Sequence, residues 1–130
     1  FLASGILLYL FPESQTLGAT LPGLSALKVF IFEIILSFFL MVVIINVSTG
    51  SKEIGVVAGI AIGSVVLLEA MFAGPITGAS MNPARSIAPA IVSGNIADLW
   101  IYIFAPIIGC VLAVVSCKLV KDEQCCDENC

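Results

Sequence analysis

Of the chain's 130 residues, 60% are hydrophobic and 11% charged, with a formal net charge of −4 and no histidine. Soluble globular domains carry about a quarter of their residues charged, so this composition excludes that class. The missing histidine removes imidazole acid–base chemistry and histidine metal sites, and the lack of a basic patch argues against nucleic-acid binding.

Residues 1–11, FLASGILLYLF, are apolar but too short to cross a bilayer, which takes about 20 helical residues. They read as the end of a span whose beginning lies upstream. The chain opens on Phe1, with no basic leader and no small-residue cleavage pattern, so a piece of a longer protein is expected rather than one with a signal peptide. Residues 12–25, rich in Pro and Gly, read as a loop.

Three runs are long enough to span a membrane: 26–47, 54–72 and 99–120. In the second, GIAIG sets Gly59 and Gly63 four apart on one helix face, a spacing that lets helix backbones approach closely in lipid. Lys52, in the turn TGSKEIG, falls on the same side as Lys118 and Lys121 if the spans alternate. Cytoplasmic loops collect Lys and Arg, so that side is expected to be cytoplasmic, with Lys28 and Arg85 opposite. Cys110 and Cys117 lie in the last run, and Cys125, Cys126 and Cys130 in the tail. An odd number of cysteines, none in the 12–25 loop, does not suit a disulfide-built ectodomain.

Between the second and third runs stands AGPITGASMNPARSIAPA, with the only arginine of the sequence. It is too polar and broken to span, and too apolar for an ordinary solvated loop. Pro75 and Gly78 punctuate it. Asn82-Pro83 reads as a helix start, Asn as N-cap and Pro at the first helical position. A short helix follows to about 92, closed by Ser93-Gly94-Asn95. At 1.5 Å per residue it is roughly 15 Å long, about half a bilayer. Its positive end then points to the midplane. The unwound residues Gly78, Ala79, Ser80 and Met81 offer carbonyls just before the Asn82 amide and the Arg85 guanidinium. Carbonyls, an amide donor and a fixed cation form a track for a small neutral solute that repels cations. An Arg at this depth has a poor structural excuse, since unpaired it costs at least about 2.5–3.5 kcal/mol. Glu33, inside the first full span, requires a partner for the same reason, and Glu69 faces either an outer vestibule or simply marks the end of its span.

The stretch GPITGASMNPARSIAPA resembles the second Asn-Pro-Ala signature of the major intrinsic proteins, the aquaporin and glyceroporin family. LGATLP resembles the loop before the family's fourth span, FIFEIILSFFL that span with its buried Glu, and LWIYIFAPIIG the sixth. The resemblance covers nearly all of the chain except the last ten residues. It implies an all-α membrane protein, an aquaporin-like right-handed helical bundle with a re-entrant half-helix, of which this chain is the second inverted repeat. Residues 1–11 would end the third span, 12–25 form an extracellular loop, 26–120 hold spans four to six with the half-helix at 82–92, and 121–130 form a cytoplasmic tail.

The same resemblance assigns roles. Asn82, Pro83 and Ala84 are the signature triplet. Ala70, Ala79 and Arg85 fall at the outer constriction, and two alanines there leave it wide. Glu33 becomes the acceptor that holds the half-helix loop. Ser86 and Ala90, where glyceroporins carry Asp and Arg, make the chain most similar to plant nodulin-type proteins and bacterial relatives. Those carry water, glycerol, urea and metalloid acids. The family's homotetramer, each subunit with its own pore in the lipid of the cell membrane, is expected of the parent protein, and no cofactor is. A lone half should not conduct. Two other classes stay open: a secondary transporter coupled through Glu33 and Glu69, and a structural membrane protein. An enzyme has no support in the spans. In the acidic tail, KDEQCCDENC, a solvated terminus is the first expectation. A soft-metal or arsenite tripod of Cys125, Cys126 and Cys130 is the sharper one.

Overall fold

The computed structural model describes residues 1–48 and 52–120, side chains excepted over 52–56. The turn 49–51 and the tail 121–130, with Cys125, Cys126 and Cys130, lie outside the described residues. Among the described residues, five helices follow in order: α1 (Leu2–Leu10), α2 (Ala26–Ser48), α3 (Lys52–Thr77), α4 (Pro83–Ser93) and α5 (Leu99–Val120). Three stretches among the described residues are long and apolar enough to cross a membrane, Ala26–Ser48, Val57–Thr77 and Leu99–Val120, of 23, 21 and 22 residues. Among the described residues the chain adopts the expected all-helical class, with three long apolar helices and the short α1 and α4.

α2 is the central element. It packs most extensively on α5 and then on α3, while α4 lies against α5 and α1. The α2–α5 contact is close because Gly109 has no side chain. A Cβ there would strike the Ile34 carbonyl oxygen, and it would come within 2.9 Å of Ser37 Cβ. Two small cores result. Val29, Ile101 and Tyr102 form one between α2 and α5, flanked by Ala26 and Phe30. Leu36, Ala73 and Ala79 form the other between α2 and the end of α3, flanked by Phe32 and Met81. Aromatic pairs reinforce both, Phe30 with Trp100 at 5.4 Å and Phe32 with Phe72 edge-on at 6.3 Å. Most other apolar side chains point outward, including Ile60, Leu67, Met71 and Leu119. Helices apolar on every side belong in a nonpolar solvent.

The second long helix extends further than its apolar run suggests. It runs through Pro75 to Thr77, where the sequence reads a break. A late Pro deprives only one carbonyl of its helical partner, and the carbonyls near the end find others. The Gly78 N–H donates to the Gly74 oxygen at 2.9 Å, the Gly23 N–H to the Ile76 oxygen at 3.0 Å, and the Tyr102 hydroxyl to the Thr77 oxygen at 2.7 Å. Gly59 and Gly63 do not pack within this chain: a Cβ at either meets no atom within 4 Å among the described residues. Their small face is left to whatever lies beside α3.

Candidate functional site: the half-helix and the turn before it

α4 begins as its sequence dictates. Asn82 is extended, at φ −150° and ψ 112°, and its Oδ1 accepts the Ala84 N–H at 2.9 Å. Pro83 occupies the first helical position, where a missing N–H costs nothing. The helix ends on Gly94 in the left-handed region, φ 77°, where glycine alone carries no steric penalty. The cap also settles the amide's orientation. Since the Asn82 oxygen is occupied by the helix, its NH₂ is the group left to offer, and the side chain is exposed.

The turn 78–81 reverses the chain from α3 into α4. Gly78, Ala79 and Met81 have positive φ, at 83°, 42° and 52°. Such a path turns successive N–H groups toward one side, and that side is occupied. Ala79 N–H donates to Thr77 Oγ1 at 3.0 Å, Ser80 N–H to Glu33 Oε1 at 3.0 Å, and Met81 N–H to Glu33 Oε2 at 2.9 Å. Thr77 Oγ1 donates to Glu33 Oε1 at 2.7 Å. Glu33 is fully buried, so its carboxylate resides in the protein only because three donors surround it. Among the described residues, the carbonyls of Gly78, Ala79, Ser80 and Met81 accept no hydrogen bond, while every N–H of the turn is bound within the protein.

Arg85 stands one residue into α4 beyond Ala84. One guanidinium N–H donates to Thr20 Oγ1 at 3.0 Å, and the side chain is otherwise exposed. Thr20 comes from the loop 12–25, which lies down on the half-helix. Leu17 and Thr20 are buried, and the Asn95 amide donates to the Gln15 carbonyl at 2.8 Å. The loop also meets the end of α3, where a Cβ on Gly23 would come within 2.8 Å of the Pro75 and Ile76 oxygens.

The two alanines read as constriction residues are placed differently. Ala70 is exposed on α3. Ala79 is 5% exposed, packed with Leu36 and Ala73, so its side chain fills a core while its backbone shapes the turn. Glu69, which the sequence leaves undecided, is 3% exposed and turns toward α2. It borders an apolar groove of about 350 Å³ lined by Phe32, Leu36, Val65, Leu68 and Phe72. Its Oε2 has no hydrogen-bond partner among the described residues.

For three residues central to this geometry, Thr20, Thr77 and Tyr102, the sequence reading assigned no hydrogen-bonding role. Each is a buried hydroxyl bonded to a partner 25 to 66 positions away. The available signal was a hydroxyl in an otherwise apolar setting, which is weak because threonine and tyrosine are also ordinary filler.

The sequence matches the family described as "Major intrinsic protein" over residues 1–116. Curated plant proteins are similar at high identity. Nodulin-26 of Glycine max is 49% identical over 121 residues, 92% of this chain and 45% of that protein. Aquaporin NIP1-2 of Arabidopsis thaliana is 52% identical over 102 residues, 78% of this chain and 35% of its own. Aquaporin NIP1-1 of Zea mays is 42% identical over 121 residues, 92% of the chain and 43% of its own. The chain thus spans less than half the length of these relatives. Together, the family match and the three apolar helices make the chain part of a multi-pass integral membrane protein, and it belongs to the major intrinsic protein family.

Proposed function

We propose that this chain is the second half of a passive channel for water and small uncharged solutes, with glycerol, urea or metalloid acids as the solute class. The family is one of channels, not enzymes. The observation that carries the reading is the arrangement around α4: carbonyls at 78–81 that accept no hydrogen bond from the described residues, the donor face of Asn82, and the Arg85 guanidinium in succession. Each group hydrogen-bonds a neutral polar molecule, and the helix N-terminus and Arg85 disfavour cations. The proposed triplet is Asn82, Pro83 and Ala84. The constriction takes Arg85 and Ala70 as surface groups and Ala79 through its backbone. With Asn82 near the midplane, 12–25 lies on the outer side and the tail in the cytoplasm, in the cell membrane. A homotetramer gives Gly59 and Gly63 a neighbour.

Glu33 favours a channel over a coupled transporter. A coupling carboxylate must exchange a proton or cation during each cycle, whereas both oxygens of Glu33 are committed to the Thr77, Ser80 and Met81 donors. Releasing them would undo the turn. The test is stopped-flow swelling of vesicles holding the full-length protein. Flux linear in solute concentration and indifferent to proton and sodium gradients is the expected result. Saturable flux that follows either gradient would identify a transporter instead.

A further inference from the structure

Three hydroxyls run in line from Arg85 to the turn. Thr20 Oγ1 lies 2.7 Å from Ser86 Oγ, and Ser86 Oγ lies 2.6 Å from Ser80 Oγ. Ser80 Oγ in turn donates to the Asn82 carbonyl at 3.0 Å. Thr20, Ser80 and Ser86 are 7%, 2% and 1% exposed. The direction of every bond is fixed by the two ends. A guanidinium has only donors, a backbone carbonyl only accepts, and each hydroxyl carries one hydrogen. Ser80 spends its hydrogen on the carbonyl, so Ser86 must donate to Ser80. Thr20 must then donate to Ser86, which leaves its lone pairs to Arg85. The string therefore reads Arg85 to Thr20 to Ser86 to Ser80 to the Asn82 carbonyl, in that order only.

We propose that Thr20 is a positioning residue that sets the selectivity of the outer mouth by holding the Arg85 guanidinium at the head of this string. The proposal rests on the channel reading above. Thr20 is suited to the task in two ways. Its hydroxyl is polarised from both sides, since hydrogen bonds in a chain strengthen one another. Its methyl group seats on Gly78, where a Cβ would collide with Thr20 Cγ2. The loop 12–25 thereby touches both the cation and the turn through one side chain. Without the hydroxyl, Arg85 keeps its charge but loses its fixed place, and the width and donor geometry of the mouth vary with it.

The test uses the full-length protein and the substitutions Thr20→Val, Thr20→Ser and Ser86→Ala. Thr20→Val keeps the shape and removes the hydroxyl. Thr20→Ser keeps the hydroxyl and removes the methyl. Two quantities are measured: reaction of Arg85 with a small neutral 1,2-dicarbonyl, followed by peptide mass spectrometry, and the ratio of glycerol to water permeability in vesicles. Thr20→Val should raise Arg85 labelling about fivefold and change the permeability ratio at least about threefold, the scale on which one lost hydrogen bond acts. Thr20→Ser, which keeps the Arg85 bond and loses only the seat on Gly78, should depart from the unaltered protein in both by less than Thr20→Val does. Ser86→Ala, which shortens the string but spares the Arg85–Thr20 bond, should give a labelling rise smaller than that of Thr20→Val. Equal labelling in Thr20→Val and the unaltered protein overturns the proposal, as does equal impairment by Val and Ser. Raised labelling with an unchanged permeability ratio overturns the selectivity role. Should Thr20→Val fail to fold, Ser86→Ala decides: no rise in its labelling counts against the string. A protein that passes no solute, yet shows the labelling pattern, defeats the channel reading and leaves the Arg85–Thr20 pairing standing.

Discussion

Glu33 and Met81 lie 48 positions apart, yet the backbone N–H of Met81 donates to the Glu33 carboxylate at 2.9 Å. The same carboxylate takes the Ser80 N–H and the Thr77 hydroxyl. One side chain of α2 thus fixes the path of the chain from α3 into α4.

Replacing that carboxylate leaves donors stranded. Glu33→Gln presents one acceptor and one NH₂ to three donors, so at least one backbone N–H loses its partner. Loss of a hydrogen bond to a charged group, together with an unsatisfied buried N–H, costs about 3 kcal/mol. The detergent-solubilised full-length variant should lose its monodisperse peak at a lower temperature than the unaltered protein. An unchanged midpoint would mean that the turn holds without Glu33.

The turn's backbone sets a rule for residues 78 and 79. Non-glycine residues in the left-handed region bear roughly 1–2 kcal/mol of steric strain. Ala79, at φ 42°, should therefore accept Gly without loss of stability, whereas β-branched Val should destabilise by about 2 kcal/mol or more. Gly78→Ala meets both the positive φ and Thr20 Cγ2, and should be worse than Ala79→Gly in every assay of folded yield. The opposite ranking would refute the placement of the turn.

Asn82→Asp separates the cap from the donor. The aspartate oxygen still accepts the Ala84 N–H, and a negative charge suits a helix N-terminus. Stability should be unchanged or slightly higher. The NH₂ group is gone, however, and a charge faces the proposed solute path. Solute flux should fall by about tenfold, the consequence of one charge-assisted interaction of 1.4 kcal/mol or so. Flux at the original level in a properly folded variant would exclude Asn82 from that path.

Glycines on α3 and α5 should respond in different ways. Gly109→Ala places a methyl against the Ile34 oxygen and Ser37 Cβ, and forced overpacking costs about 1–3 kcal/mol. Gly63→Leu starts from open space, since a Cβ there meets no atom within 4 Å among the described residues. It should leave the helices formed, as judged by circular dichroism, but lower the fraction of the proposed tetramer in native mass spectrometry of the full-length protein. A tetramer insensitive to Leu at 63 would place the neighbour of α3 elsewhere.

The three long helices were legible because hydropathy over some 20 residues is a strong signal. α4 was legible because Asn-Pro and Ser-Gly punctuate its ends. The end of α3 was not. Pro75 reads as a break, and only the Gly23 and Tyr102 donors, from the loop and from α5, show why the helix continues to Thr77. Glu33 was legible as a carboxyl in need of partners and, through the family resemblance, as an acceptor for the N–H groups of the half-helix loop; that those groups belong to Ser80 and Met81 was not legible. Ala79 shows the limit most plainly: its position in the motif was readable, but whether its methyl faced a path or a core was decided by Leu36 and Ala73. Thr20 went unnoticed because a loop threonine carries no periodicity, and its partners Arg85 and Ser86 lie 65 and 66 positions on.

In a channel of the kind proposed, a row of hydroxyls beside the water path would ordinarily be a hazard, because protons hop along such rows. Hopping requires the first group to take up a proton and the last to give one away. Here the first group is a guanidinium, which has no lone pair to offer, and the last is a carbonyl, which has no hydrogen to release. Reversing the row would require all three buried hydroxyls to turn together against both ends. The string that ties the loop to the turn is, by its own polarity, a blind alley for proton conduction.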